Sequence, residues 1–493
     1  VDSGKVAGLR LDHIDGLRDP AGYIERLRGA VGDVPVFVEK ILAGDEELPP
    51  SWPVEGTTGY DVLHRIDDVQ LDPAGVVRLE ADAVEHVGDG TYAEDCRAAR
   101  LRVASVELAA EVERLVDLLA EVCQVRRRHR DHTRRDLRTA LREILASLDV
   151  YRTYVVPGQP VSATDRRRIG DAIAGVRAVR PDIDDELLEL IGRVLLLDEE
   201  GPVEHELASR FQQVSGPVMA KGFEDTAFYR RVALLSRNEV GGEPGELHDA
   251  VAELHAHHRR TVASHPATMR TLSTHDTKRS ADVRARLALL SELAEPWLAA
   301  LAEWRAMNER HWNGHVPDRR SELVLYQSLL GAWPIGEERL QATLTKSMRE
   351  AKVETSWSDP DADHESAVGG FASAVLADDA FRRSFEAFLT AHDIVRLGRV
   401  NSLAQVALAM TGPGFADIYQ GNEAWDLSLV DPDNRRPVDH ARHAEVLDAL
   451  QAEGLAAVER YADDGAAKQW LVHRVLQHRR HHPHRYESTA YDE

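Results

Sequence analysis

The sequence predicts an α/β protein with a parallel sheet and large helical insertions. Three observations lead there. First, strand, helix and strand follow one another within the first 42 residues. VAGLRLDHI (6–14) alternates apolar and polar residues. Residues 20–31 place Ile24, Leu27 and Val31 on one helical face. VPVFVEKIL (34–42) is a β-branched run of the kind buried in parallel sheets. Together they form a βαβ unit. Second, the pattern from 92 to 193 is helical, with Val112, Leu115, Leu119 and Val122 on one face. Third, strand-like or loop text returns at 216–231 and 271–280, and 412–439 reads as a strand followed by a long polar loop. A second helix-rich stretch, containing tryptophans, separates these over 281–400. No internal repeat is evident.

The 493 residues leave room for one large α/β barrel with insertions, or for domains of ~150 residues each. Sixty Lys and Arg against 84 Asp and Glu give a net charge of −24, which argues against nucleic acid or an anionic membrane as the main partner. No apolar run approaches the ~18 residues of a membrane span. Two cysteines, Cys96 and Cys123, exclude a disulfide framework and a four-cysteine zinc site, and fit a reducing cytoplasm. The arginine runs at 126–128 and 166–168 lack interleaved aromatics and read as solvated helix faces. The histidine-rich segment HRVLQHRRHHPHRY (473–486) reads as a surface helix end. A strand-like pattern begins almost at Val1, and RYESTAYDE (485–493) carries no stop signal, so the natural chain is expected to extend further.

Three acidic residues share one placement. Asp12 closes GLRLD, Glu39 closes VFVE and Asp276 closes TLSTHD. In parallel α/β barrels the loops at the carboxyl ends of the strands build the pocket. Singly, each residue has a commoner explanation. Asp12 suits a helix cap or turn, Glu39 an ion pair with Lys40, and Asp276 a cap for the next helix. As a set they gain weight, because Arg10 lies two residues before Asp12, on the same strand face. An arginine there favours an ionised, oriented carboxylate, while a second carboxyl in a drier site keeps its proton. Glycosyl transfer needs that division of labour.

GLRLDHIDGL, VFVEKIL and TLSTHDTKRS resemble three regions of the α-amylase superfamily of glycoside hydrolases, which are (β/α)₈ barrels. WPVEGTTGYDVL (52–63), AKGFEDTAFYR (220–230), NEVGGEP (238–244), THDTKRSADVRAR (274–286), REAKVETSWSDP (349–360) and IYQGNEAWDLSLVDPDNRRPVD (418–439) are similar to one branch of it, the maltooligosyltrehalose synthases. The resemblance implies a partial barrel holding strands four to eight. Strands four and five with their loops fall in 1–91, and a helical insertion in 92–215. Strands six and seven fall in 216–290, a second insertion in 291–400, and strand eight with following helices in 401–493. The region carrying the superfamily's first catalytic Asp and His has no counterpart here, and the C-terminal β domain is absent or barely begun. The 493 residues alone are therefore expected to be inactive.

The implied reaction converts the reducing-end α-1,4 bond of a maltooligosaccharide into an α,α-1,1 bond, with retention. The resemblance makes Asp12 the nucleophile, Glu39 the general acid and base, and Asp276 the stabiliser of the transition state. Arg10 and His275 match flanking positions. His13, Asp15, Lys40, Lys278 and Arg279 are candidates for holding the substrate and the released glucose. Tyr60, Trp52, Tyr419 and Trp425 are candidates for sugar contact, with ordinary packing the alternative for each. No metal or cofactor is required, and the expected partner is the maltooligosaccharide itself. The competing reading is an α-glucan hydrolase or transglycosylase of the same superfamily.

Overall fold

The computed structural model describes residues 1, 3–88, 90–245, 247–312, 317–486 and 491. The last part of the 401–493 stretch, and most of RYESTAYDE, thus lies outside the described residues. Helices make up 64% of the protein, so the sheet is a minor part of a helix-rich structure. The chain divides into two compact units, 1–54 with 91–227 and 55–90 with 228–493.

The first unit opens with the expected βαβ element. Strand β1 (Leu9–Leu11), helix α1 (Pro20–Val31) and strand β2 (Val36–Val38) follow in order. Asp19 caps α1 by accepting from the Gly22 N–H, and Pro20 occupies its first turn, where no intrahelical N–H is needed. β1 and β2 pair in parallel with Leu9 opposite Val36 and Leu11 opposite Val38. Ile14, Ile24, Val36, Val38 and Trp52 form a small core against this sheet, with Leu27 and Val31 packed on it.

The rest of the unit is helical: Tyr92–Ser105, Ala109–Gln124, Arg134–Ser147, Ala163–Val179, Asp185–Leu195 and Pro202–Met219. Val112, Leu115, Leu119 and Val122 are all buried in one shared core, as their spacing requires. Helix starts are set by Thr91 and Thr133, each in a capping box that satisfies main-chain donors in both directions. Both cysteines are buried, and neither forms a disulfide among the described residues.

Two expectations change here. The 216–231 segment, expected as strand or loop, is helical: Pro202–Met219 runs into a π-helical stretch, Ala220–Ala227. Its glycine is a packing residue and not a breaker. A Cβ on Gly222 would lie 2.8 Å from the Arg100 Cα, so the missing side chain lets the helix Tyr92–Ser105 approach. The arginine runs are exposed at Arg127, Arg128, Arg166 and Arg167, as expected, but not at Arg168. Arg166 pairs with Asp198, Arg126 with Glu199 and Glu204, and Arg168 is a buried side chain joining Asp45 to Asp149.

In the second unit, the strand Met269–Arg270 pairs in parallel with Phe415–Ala416. A large apolar core gathers Trp297, Trp304, Leu329, Leu330, Phe381 and Phe385 from the helical stretch over 281–400. Trp297 and Trp304 meet edge to face at 5.6 Å, which fixes their mutual tilt. The residues after Phe415–Ala416 form a long polar loop up to the helix His440–Glu453, as expected. The histidine-rich segment ends the helix Ala466–His481. Among the described residues, no helix is long and apolar enough to cross a membrane, and no group of three or more His, Cys, Asp or Glu is placed to hold a metal ion.

Candidate active site

The parallel ladder continues one residue past β1 and β2, because the Glu39 N–H donates to the Leu11 carbonyl at 2.7 Å. Asp12 and Glu39 therefore leave neighbouring strands at the same, carboxyl end. Neighbouring strands lie about 4.8 Å apart, so the two backbones emerge side by side. Asp12 is exposed and Glu39 half-buried. Arg10 is exposed at the centre of β1, in register with Phe37.

The turn after Asp12 is aimed at Glu39. His13 has left-handed backbone angles (φ 46°, ψ 53°), an uncommon conformation for a residue with a side chain. That conformation directs its main-chain N–H to the Glu39 carboxylate. The imidazole lies over Gly16, where an added Cβ would come within 2.6 Å of the ring.

Asp15 and Lys40, expected to touch sugar, do something else. Both are buried, with Asp15 5% and Lys40 2% exposed. The Lys40 ammonium reaches Asp15 at 3.4 Å and Glu46 at 2.7 Å. Asp15 also accepts from the Tyr154 hydroxyl at 2.5 Å. Arg152 lies against the Tyr154 ring and donates to the carbonyls of Asp15 and Leu17. Burial opposes the Lys40 charge, but Asp15 and Glu46 outweigh it and raise its pKa above the ordinary lysine value. Burial raises Glu46 against the pull of Lys40, and burial together with Asp15 raises Tyr154 well above the usual phenol range. The lysine thus ties the segment after β2 to the segment after β1. The expectation that Glu39 pairs with Lys40 as a surface couple gives way to this buried arrangement.

In the second unit, Asp276 is a half-exposed carboxylate 3.1 Å from the His275 Nε2. It does not cap the following helix; Ser280 does, by accepting from the Val283 N–H. The loop carrying this pair is held from several sides. At Gly59, with φ 96°, an added Cβ would lie 2.8 Å from the Arg270 Cα, so the missing side chain lets the chain approach and brings Tyr60 to the loop. Tyr60 is buried, and its hydroxyl shares a 2.8 Å hydrogen bond with Thr274. Its ring is therefore a support under the loop, where a sugar contact was expected. Asn434 donates to the His275 carbonyl at 3.0 Å.

Glu239 makes the strongest of these clamps. It is 1% exposed and accepts from the main-chain N–H groups of Val240, Lys278 and Arg279 at 2.9, 2.8 and 3.1 Å. Arg284 donates to it at 3.4 Å and to Asp67 at 2.6 Å. One guanidinium thus serves two buried carboxylates. Burial is the larger influence on Asp67 and lifts its pKa to about 7 despite Arg284. Lys278 and Arg279 are themselves largely buried. The Lys278 ammonium lies 5.7 Å from the Tyr229 ring centre, and Arg279 donates to the Leu235 carbonyl. Tyr419 is half-buried and close enough to Asp276 to feel its charge; burial leads in raising its pKa. Trp52 is buried edge-on to Tyr154, and the Trp425 indole donates to the Ala462 carbonyl.

Sequence reasoning missed Glu239, Asn434, Glu46 and Tyr154. NEVGGEP and the DPDN segment contained the first two as matched text without a role. Tyr154 carries no local signal, since its partner Asp15 lies 139 residues away.

Asp12 and Glu39 thus stand at the carboxyl ends of adjacent parallel strands, where parallel α/β enzymes carry functional groups. The comparisons narrow this. No family model matches the chain. It is 39% identical over 458 residues to a putative maltooligosyl trehalose synthase of Mycobacterium tuberculosis, covering 91% of this chain and 56% of that protein. Its structure is similar to that of the maltooligosyltrehalose synthase from Arthrobacter ramosus, with a TM-score of 0.86 at 38% identity over 98% of this chain and 59% of the other. It is also similar to a structure described as DSM5389 glycosyltrehalose synthase, with a TM-score of 0.80 at 32% identity over 97% of this chain and 58% of the other. The chain is a homologue of the maltooligosyl trehalose synthases along nearly all of its length. It spans a little over half the length of the relatives it matches.

Proposed function

We propose that this chain carries catalytic residues of a maltooligosyl trehalose synthase, an intramolecular glucosyl transferase acting on maltooligosaccharides. The observation that carries the reading is the emergence of Asp12 and Glu39 from adjacent parallel strands at one end. Retaining enzymes need their two carboxyls about 5–5.5 Å apart, close to the spacing of neighbouring strands. The β1–α1–β2 unit is read as two consecutive strands of a (β/α)₈ barrel.

In this mechanism Glu39 protonates the oxygen of the reducing-end α-1,4 bond while the Asp12 carboxylate bonds to the anomeric carbon. The bond to the terminal glucose breaks and the glucose is freed. Its anomeric hydroxyl then attacks the same carbon, Glu39 takes the proton, and the Asp12 ester is released. Two displacements give retention and an α,α-1,1 link. Asp276 is assigned the stabilisation of the oxocarbenium-like transition state on the strength of the sequence resemblance. Arg10, His13, His275 and Tyr419 keep exposed or half-exposed side chains and remain candidates for sugar contact.

Hydrolysis differs only in the acceptor, so the test is the product. The protein as its organism makes it, given maltopentaose, should yield a non-reducing trehalosyl oligosaccharide of unchanged mass. Glucose and shorter maltooligosaccharides alone would instead establish a hydrolase.

A further inference from the structure

We propose that Arg152, Tyr154 and Gln213, all from the helical insertion of the first unit, are positioning residues for Glu39, which they hold through the turn after Asp12. This role rests on the reading of Glu39 as the acid, and it gives the insertion a part in the proton transfer.

The turn needs outside support. His13 holds φ 46° to aim its N–H at the Glu39 carboxylate. A residue with a side chain keeps such a conformation only where its surroundings over-determine it. Here three consecutive carbonyls, those of Asp15, Gly16 and Leu17, accept from side chains distant in sequence. Arg152 donates to Asp15 at 2.8 Å and to Leu17 at 2.5 Å, and Gln213 donates to Gly16 at 3.0 Å. The Asp15 carboxylate accepts from the Tyr154 hydroxyl at 2.5 Å. Ile14 is buried in the core against the sheet. Every residue from 14 to 17 is thus fixed.

The support is itself held firmly. Arg152 is 1% and Thr153 3% exposed. Gln212, on the helix Pro202–Met219, brackets Val155: it accepts from the N–H at 2.7 Å and donates to the carbonyl at 2.9 Å. Ser215 donates to the Tyr151 carbonyl at 2.9 Å, and Asp165 accepts from the Tyr154 N–H at 3.0 Å. Gln213 lies between Gln212 and Ser215 in sequence, so one helix holds both the segment 151–155 and the turn. A shift of that segment passes to His13 and from there to Glu39. An acid must stay within hydrogen-bond reach of the oxygen it protonates, and a small misplacement slows the reaction strongly.

The test compares two substrates in the natural protein carrying Tyr154→Phe or Gln213→Met. The glucose leaving group of maltopentaose needs the proton, whereas the fluoride of α-maltosyl fluoride leaves without it. Each variant should lower kcat on maltopentaose at least about tenfold, with KM changed less than about twofold. First-turnover fluoride release should stay within about twofold of the wild type. Glu39→Gln, run alongside, should lose maltopentaose turnover and keep fluoride release. Wild-type turnover in Glu39→Gln would overturn the reading of Glu39, and the positioning role with it. With Glu39→Gln behaving as expected, folded variants that match the wild type on both substrates, or lose both alike, would overturn the positioning role alone. Thermal midpoints report folding. Should Tyr154→Phe unfold, Gln213→Met decides, and unfolding of both would show a purely structural role and overturn the proposal.

Discussion

The main-chain N–H of His13 donates to the Glu39 carboxylate over 2.5 Å, across the ends of two neighbouring strands. It does so because His13 adopts φ 46°, which reverses the chain just after Asp12. The acid proposed to move the proton is therefore held by the residue that follows the proposed nucleophile.

His13→Gly separates backbone from side chain. Glycine takes the left-handed conformation without penalty and keeps the N–H. Stability should change by less than about 1 kcal/mol in a urea titration, while loss of the imidazole should raise KM. A large loss of stability would show that the ring packed over Gly16 holds the turn, against the backbone role.

Lys40→Met tests the buried tie beneath the strands. It leaves Asp15 and Glu46 without their shared cation. Removing one member of a buried ion pair costs about 3–5 kcal/mol. The pKa of Lys40 is raised on folding, so its contribution is complete below the ordinary value of 10.5 and disappears as pH rises through the folded pKa. Unfolding curves should show the wild type losing this stability in alkali and the variant lacking it throughout. An unchanged midpoint at pH 7 would contradict the account.

Asp67 carries a pH dependence of the same sign in a lower pH window. Its folded pKa is about 7 against an ordinary 3.8, so between these values the folded state holds a proton that the unfolded state releases. Stability from this group falls as pH rises from about 4 to 7, by up to about 1.4 kcal/mol per unit. Asp67→Asn should flatten that slope. An unaltered slope would mean that Arg284 keeps Asp67 ionised.

Glu239→Ala removes the acceptor for three main-chain N–H groups at once. Each unmet buried donor costs about 1–3 kcal/mol. The variant should be less stable by several kcal/mol, or exchange the Lys278 and Arg279 amides much faster by hydrogen–deuterium exchange. Unchanged exchange at both positions would remove Glu239 from its clamping role.

Much of the first unit was legible because its signals are local. Apolar periodicity located α1 with Ile24 inward, the β-branched run located β2, and the helix face of Val112 to Val122 is buried as spaced. The Gly-containing text at 216–231 misled, because Gly222 serves close packing with Arg100 and the helix continues past it. Asp12 and Glu39 were legible at the ends of β1 and β2, whereas Asp276, expected to close a strand, lies in the loop after the strand Met269–Arg270. What lay beneath the first two was not legible. Asp15 and Lys40 look like polar loop residues beside the acids, and only the fold brings Tyr154 and Glu46 onto them. Tyr60 reads as an aromatic near a site, yet its hydroxyl is spent on Thr274. Such roles depend on partners distant in sequence, which no window of residues contains.

The central claim is a covalent intermediate on Asp12. It is tested most directly by intact-mass and peptide mass spectrometry of the natural protein carrying Glu39→Gln, incubated with an α-maltosyl fluoride. The fluoride leaves without acid help, and release of the adduct lacks its base, so the intermediate should accumulate. The account predicts one glycosyl unit attached to the peptide containing Asp12, absent in the Asp12→Asn double variant. A glycosyl label on another residue, or one that persists when Asp12 is replaced, would contradict it.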